Sequence, residues 1–153
     1  MRDIEFRGKR TDNGEWVEGH YYKAKYYRTN GELCDYITIP NLDEYIIPTP
    51  KYVVDASTIG QYTGLKDKNG TKIFEGDIVK NDWCFIKGNS IVRFDEYKSS
   101  DSSNDYQCGH LGFYLEHISD FNKRTVRKDI MYFANKCEII GNIFDNPELL
   151  KEG

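Results

Sequence analysis

The chain has 153 residues and a formal net charge of −4, from 21 lysines and arginines against 25 aspartates and glutamates. This length suits one domain that buries its core without disulfides or metal ions. The longest apolar run, residues 130–134, is far shorter than the about 20 residues of a membrane span, so we expect no membrane partner. No apolar stretch follows the first residues, which predicts no secretory signal and a cytoplasmic location.

Alternating apolar and polar residues predict short β-strands in the first third of the chain. Residues 4–6 form one such strand, and the aromatic-rich segment 16–27 forms the next. Asn30-Gly31 is a strong hairpin signal, because this dipeptide readily takes positive φ angles. Residues 40–51 contain three prolines, which donate no backbone hydrogen bond, and are therefore interpreted as a connection.

The same pattern continues in the second half of the chain, from residue 52. Turn residues at 67–70 and a serine-rich segment at 99–104 separate the strands. Residues 119–134 are interpreted as a loop with a short helix, and Asn146-Pro147 predicts the start of a short C-terminal helix. The predicted strands cover residues 59–65, 72–74, 78–80, 91–94, 112–115 and 137–144.

These elements define the expected fold class. About eight to ten short strands separated by turns predict a mainly β protein, either a small barrel or a sandwich of short antiparallel strands, with a short C-terminal helix. The second half alone also fits an SH3-like barrel. We expect a single domain over residues 1–153, within which residues 1–50 and 52–150 are candidate sub-units.

Two segments of the chain have an unusual sequence. Residues 58–80 read TIGQYTGLKDKNGTKIFEGDIVK, and residues 138–150 read EIIGNIFDNPELL. Together with residues 4–8, they resemble the YopX protein family in order and spacing, over essentially the whole chain; the chain departs from the family at Ala56, where a proline is expected. The resemblance implies a phage or prophage origin and a mainly β fold, but it supplies no catalytic residues and no mechanism.

The central segment has a structural and a functional interpretation. Its glycines and turn residues suit a hairpin followed by a sharp corner, where positive φ angles are needed. Its charged side chains could instead form a recognition rim, because binding residues favour loops held by a rigid scaffold. The candidate rim residues are Lys66, Asp67, Lys68, Glu75 and Asp77.

No catalytic, cofactor or metal site is predicted. Glu75 and Asp77 have the spacing of paired carboxylates but no accompanying catalytic motif. The sequence also contains no glycine-rich phosphate loop. The residues with zinc-binding atoms lack the close cysteine pair of a structural zinc site and are interpreted as ordinary side chains, with the thiols reduced. They are Cys108, His110, His117 and Cys137.

One basic segment, residues 123–128, could bind nucleic acid through its four cations, with nearby aromatic rings stacking on bases. The low isoelectric point, about 5.4, argues against this, because affinity for nucleic acid comes mostly from neutralised phosphates. The candidate nucleic-acid contacts are Lys123, Arg124, Arg127 and Lys128.

The aromatic segment 16–27 predicts self-association. On an alternating strand, Tyr22 and Tyr26 share a face with Trp16, opposite to the face of Val17. If the Val17 face is buried, large rings remain on the other face, and tyrosine is enriched at protein interfaces. Tyr22 and Tyr26 are therefore candidate contacts of a homo-oligomer.

The sequence therefore favours a non-enzymatic accessory protein of phage or prophage origin that acts by binding a host or phage protein. The alternative is a nucleic-acid-binding module that uses residues 123–128. A small enzyme of unknown type is ranked third among the hypotheses, because no group of polar residues points to a reaction.

Overall fold

The computed structural model of the chain describes residues 4–25, 31–39, 51–83, 86–98, 109–119 and 124–150. Antiparallel strands dominate these ranges, which confirms the mainly β fold. The strands are β1 (Phe6–Lys9), β2 (Trp16–Lys25), β3 (Leu33–Thr38), β4 (Lys51–Val54), β5 (Gly60–Lys66), β6 (Lys72–Phe74), β7 (Asp77–Trp83), β8 (Ile86–Lys98), β9 (Gly109–Ser119), β10 (Arg124–Asp129) and β11 (Glu138–Asn142). The 3-10 helices are η1 (Ala56–Thr58), η2 (Ile130–Tyr132), η3 (Ala134–Lys136) and η4 (Pro147–Leu150).

The chain divides into two compact units, residues 1–62 and 63–153, and the division lies inside β5. The candidate sub-units 1–50 and 52–150 divide the chain at the proline-containing connection instead. β4 follows that connection and pairs with β3 of the first unit. This pairing explains why the boundary between the units lies after residue 62 and not near residue 51. The single domain over residues 1–153 stays a prediction.

In the first unit the strands follow the order β4-β3-β2-β1-β5. An isolated bridge between Arg10 and Val54 joins the chain after β1 to the edge strand β4, and Thr11 N–H donates to the Val53 carbonyl at 3.0 Å beside it. The sheet is therefore curled around a small apolar core. This core contains Val17, Ile37 and Val54, with Phe6, Tyr52 and Ile59 packed against it.

In the second unit the strands follow the order β10-β9-β8-β7-β11. Among the described strands, β10 and β11 are the two edges, so this sheet is open and the expectation of an SH3-like barrel is wrong for these strands. The segment 130–137 packs on one face of the sheet. The core between them contains Ile73, Val79, Val92, Phe113, Leu115, Ile130, Phe133, Ala134 and Cys137.

The interpretation of residues 119–134 as a loop with a short helix is wrong at residues 124–129, where β10 forms. β10 pairs with β9 in continuous register, with Thr125 opposite Ile118 and Asp129 opposite Tyr114. β-branched residues such as Thr125 favour extended backbone, which is the local reason for a strand here. The helical part of the interpretation falls on η2, whose first turn is capped by the Asp129 carboxylate.

The short C-terminal helix is confirmed as η4, a 3-10 turn in which Leu149 N–H donates to the Asn146 carbonyl at 3.1 Å. The hairpin signal at Asn30 and the serine-rich segment 99–104 lie outside the described residues. No helix in the described part of the chain is long and apolar enough to cross a membrane.

Gly19 provides a test of the packing in the first unit. A Cβ at this position would collide with the Thr38 carbonyl oxygen and lie 3.2 Å from the Ile37 side chain. Because backbone gives way less easily than a side chain end, we expect Gly19→Ala to lower the free energy of unfolding by about 1–3 kcal/mol. Gly112→Ala is the matched control, since a Cβ there meets no atom within 4 Å. Urea unfolding followed by circular dichroism compares them, and equal midpoints for the two variants would contradict the described contact.

Candidate functional site

The turn between β5 and β6 is built around the carboxylate of Asp67, which is only 5% exposed. Its Oδ1 accepts hydrogen bonds from Asn69 N–H at 2.8 Å and Thr71 N–H at 2.9 Å, and its Oδ2 accepts one from Ile139 N–H at 3.1 Å. Gly70 closes the turn at a φ of 83°, which glycine adopts without strain. The predicted turn is therefore present, and the bond to Ile139 also fastens it to β11, 72 positions away.

Lys68 adds two contacts to the same junction. Its backbone N–H donates to the Cys137 carbonyl at 3.0 Å, and its Nζ lies 2.6 Å from Glu138 Oε2. This hydrogen bond raises the pKa of Lys68 and lowers the pKa of Glu138. Because both side chains are in contact with solvent, water and salt screen the ion pair, and the backbone bond is the more durable link.

The environment of Asp67 keeps its carboxyl ionised. Burial by itself raises the pKa of Asp67, because it disfavours the charged form. The backbone N–H groups of Thr71, Ile139 and Asn69 act in the opposite direction, and the net pKa lies below its ordinary value. At neutral pH a buried negative charge therefore holds the turn against β11.

A second buried carboxylate, Asp77, shapes the corner between β6 and β7. Asp77 is 1% exposed, and its Oδ2 accepts a hydrogen bond from Phe74 N–H at 2.7 Å. Gly76 between them has a φ of 83°, its N–H donates to the Val92 carbonyl at 2.9 Å, and its carbonyl accepts from Ile143 N–H at 2.9 Å. The corner is thus bonded both to β8 and to the chain that follows β11.

These contacts correct the predicted recognition rim. Asp67 and Asp77 do not face solvent, because their carboxylates satisfy backbone N–H groups where the chain changes direction. Lys66 and Lys68 are exposed, and Glu75 is half-buried. Recognition by these three residues stays a prediction, and the structural interpretation of the central segment accounts for both aspartates.

Cys137 is buried in the core of the second unit, and its Sγ donates to the Ala134 carbonyl at 3.2 Å. Burial, followed by the nearby carboxylate of Asp67, raises the pKa of the Cys137 thiol to about 11. The thiol is therefore protonated at neutral pH, whereas nucleophiles and metal ligands are thiolates. Cys108 lies outside the described residues. In the ranges that the structure describes, no three His, Cys, Asp or Glu side chains are grouped to hold a metal ion.

The two described histidines of the second unit pack against neighbouring residues. His110 stacks on Tyr97, with ring centroids 5.3 Å apart. His117 is buried opposite Ser90 in the β8–β9 register, and its Nδ1 lies 3.0 Å from the Asn89 carbonyl oxygen. These contacts fix both imidazoles on the β8–β9 pair.

The candidate nucleic-acid segment lies only partly in the described residues. Lys123 lies outside them, and Lys128 is half-buried in β10. Arg127 is opposite Glu116 in the register, and Glu116 also accepts a hydrogen bond from Arg93 Nε at 3.1 Å. The segment therefore runs beside an acidic residue, and nucleic-acid binding by Lys123, Arg124, Arg127 and Lys128 stays a prediction.

Of the two candidate self-association residues, Tyr26 lies outside the described residues and Tyr22 is 37% exposed. The Tyr22 ring stacks on Tyr36, with centroids 5.2 Å apart. One face of Tyr22 is thus occupied within the chain, and self-association through the remaining face stays a prediction.

Two exposed apolar side chains lie close together on β8 and β9, and we call them the hairpin patch. They are Phe94, which is 46% exposed, and Leu111, which is 70% exposed. The register places Phe94 opposite Phe113 and Leu111 opposite Glu96, so the four residues share one face. The rings of Phe94 and Phe113 meet edge to face, with centroids 4.9 Å apart.

The hairpin patch exists because β8 and β9 are longer than the elements around them. They have 13 and 11 residues, whereas β10 and β11 have 6 and 5. The segment 130–137 buries Val92 and Leu115 completely, but Phe94 and Leu111 on the same face stay exposed. Sequence alternation predicts strands at 91–94 and 112–115, but it gives neither the strand lengths nor the extent of the covering segment.

Acidic residues lie beside the hairpin patch. Asp95 and Glu96 are exposed, and Glu96 N–H donates to Asp95 Oδ1 at 2.7 Å. Within the described ranges, no ion pair involves either carboxylate. Strand alternation places Glu96 on the face of the patch and Asp95 on the opposite face, so the candidate site is an apolar surface with one carboxylate at its edge.

Replacing Asp67 tests the junction between the turn and β11. We expect Asp67→Asn to lower the free energy of unfolding by about 2–3 kcal/mol, because an amide accepts these hydrogen bonds less strongly and brings its own donors toward backbone N–H groups. The control is Asp82→Asn at an exposed position, which should stay within about 0.5 kcal/mol of the parent. Urea unfolding at neutral pH measures both variants, and equal stabilities would remove the structural role of Asp67.

The same junction predicts a pH dependence. The pKa of Asp67 is lower in the folded chain than its ordinary value of about 4. Its stabilisation is therefore complete above the ordinary value and is lost as the pH falls through the lower, folded value. As the pH is lowered from neutral to below about 4, the free energy of unfolding should fall more steeply for the parent than for Asp67→Asn. Parallel profiles for the two chains would contradict the direction of the pKa shift.

A family model described as YopX protein matches residues 5–151. The crystal structure of protein EF1440 from Enterococcus faecalis is 21% identical and covers 98% of this chain and 99% of that chain, with a TM-score of 0.43. No curated protein matches the chain.

Proposed function

The chain belongs to the YopX protein family, and we propose that it is a cytoplasmic accessory protein of phage or prophage origin that acts, without enzymatic activity, by binding another protein. The hairpin patch is the observation that carries this proposal. Surfaces that bind proteins combine exposed apolar and aromatic side chains with a polar edge. Phe94 and Leu111 provide the apolar part, and Glu96, opposite Leu111 in the register, provides the polar edge.

The energetic scale supports a binding role. Complete burial of a phenylalanine or leucine side chain contributes about 1.5–3 kcal/mol. Since Phe94 is 46% and Leu111 70% exposed, a partner that covers both gains roughly 2–3 kcal/mol from these two side chains. The two side chains can therefore form the centre of an interface, and further contacts must add to the free energy of binding.

The nucleic-acid alternative has weaker support. Its candidate residues follow one strand, where positions 124 and 128 are on the face opposite to position 127, and position 127 lies opposite the acidic Glu116 in the register. The enzyme hypothesis has the least support, because the described thiol Cys137 has a pKa of about 11 and His117 is held by the Asn89 carbonyl.

Differential capture from a bacterial lysate tests the proposal. The full tagged chain, Leu111→Ser and Leu33→Ser are compared, because Leu33 is an equally placed control, a strand leucine that is 61% exposed in the first unit. We expect Leu111→Ser to weaken capture of a specific protein about 10-fold, whereas Leu33→Ser retains it. Mass spectrometry identifies the captured protein, and circular dichroism verifies that both variants fold.

The same samples separate the other hypotheses. Equal capture by Leu111→Ser and Leu33→Ser would contradict binding through the hairpin patch. Recovery of nucleic acid that is lost in Lys128→Ala would favour the alternative function. Light scattering coupled to size exclusion measures self-association, and its loss in Tyr22→Ser would identify a second copy of this chain as the partner.

A further inference from the structure

We infer that the hairpin patch binds an amphipathic peptide segment that combines apolar side chains with lysine or arginine. This inference rests on the proposed protein-binding function. The apolar part of the segment covers Phe94 and Leu111. Its cations approach Glu96, which lies opposite Leu111 in the register and shares its face. Asp95 is adjacent in sequence, but strand alternation places it on the opposite face, where it adds negative charge without direct contact.

The two carboxylates differ from other acidic groups of the second unit in their partners. Glu116 is held by Arg93 Nε at 3.1 Å, and Glu138 is held by Lys68 Nζ at 2.6 Å. Asp95 and Glu96 have no such cation in the part of the chain that the structure describes. Their charge is therefore available to a cation that another molecule supplies.

The sequence that connects β8 to β9 has the same sign of charge. Residues 95–110 contain four acidic residues and one lysine, which gives a formal charge of −3. A field of one sign steers oppositely charged partners during association and repels partners of like charge. Phosphate-bearing partners, such as nucleic acid or an anionic lipid surface, are therefore disfavoured at the hairpin patch.

A matched pair of labelled synthetic peptides provides the direct test. One has leucines at helical spacing with lysines on the polar face, and the other has the same leucines with glutamates. Fluorescence anisotropy measures their affinity for the full chain, Leu111→Ser, Glu96→Lys and the charge control Glu32→Lys, since Glu32 is exposed in the first unit. All variants are compared at the same ionic strength, because surface charges are screened by salt.

We expect the lysine peptide to bind the parent at least about 10-fold more tightly than the glutamate peptide. Leu111→Ser should weaken the lysine peptide about 5–10-fold because apolar contact is lost. Glu96→Lys should weaken it by a similar factor and improve the glutamate peptide, whereas Glu32→Lys changes neither. Raising the salt concentration to about 0.5 M should reduce the preference between the peptides.

Equal affinity for the two peptides, or no effect of Glu96→Lys, would overturn the inference. A lysine peptide that binds equally to the parent and Leu111→Ser would also overturn it, because general attraction to an acidic protein then explains the binding. These results are distinct from failure of the proposed function, which is shown by equal protein capture with Leu111→Ser and Leu33→Ser. If capture depends on Leu111 but peptide charge has no effect, the function stands and this inference fails.

Discussion

The buried carboxylate of Asp67 is the constraint on which the second unit depends. It accepts backbone hydrogen bonds from Asn69 and Thr71 in its own turn and from Ile139 in β11. Bonds from backbone N–H groups to an ionised acceptor are stronger than neutral ones, and a buried charge is stable only when such bonds surround it. One side chain therefore determines both the shape of a turn and the position of a distant strand.

This junction also explains why two separate stretches of sequence resemble the same family. The two stretches are far apart in the chain, but residues 67–76 of the first meet residues 137–143 in the fold. Three hydrogen bonds connect them. Ile139 N–H donates to the Asp67 carboxylate, Lys68 N–H donates to the Cys137 carbonyl, and Ile143 N–H donates to the Gly76 carbonyl. The residues that make these bonds form one structural junction, and this role is a sufficient reason for Asp67 and Gly76 in the first stretch.

The junction has a consequence for the exposed surface. Because β11 is fixed beside β7 and β10 beside β9, the segment 130–137 is tied at both ends and packs over the middle of the sheet. Its length limits what it covers. The ends of the longer strands β8 and β9 extend past this cover, and Phe94 and Leu111 stay exposed there. The hairpin patch thus follows from strand lengths and from where the covering segment is anchored.

Local chemistry in the sequence was enough to predict most of the strands, the turn at 67–70 and the C-terminal helix. It could not place Asp67 and Asp77 correctly, because charged residues usually face solvent and the partner that buries Asp67 is 72 positions away. The strand at 124–129 was missed because its pairing with β9 outweighs an ambiguous local pattern. The hairpin patch was missed because sequence alternation says which residues share a face and not how far that face is covered.

The central claim is that the motif around Asp67 maintains the fold, whereas the end of the β8–β9 hairpin binds the partner. Amide hydrogen exchange of the full chain, with and without the captured protein, tests this claim most directly. We predict added protection at residues 92–98 and 109–115, which the bound partner covers, and unchanged exchange at residues 66–77 and 138–142, which form the junction around Asp67. Added protection confined to residues 66–77, with none on the hairpin, would contradict the account.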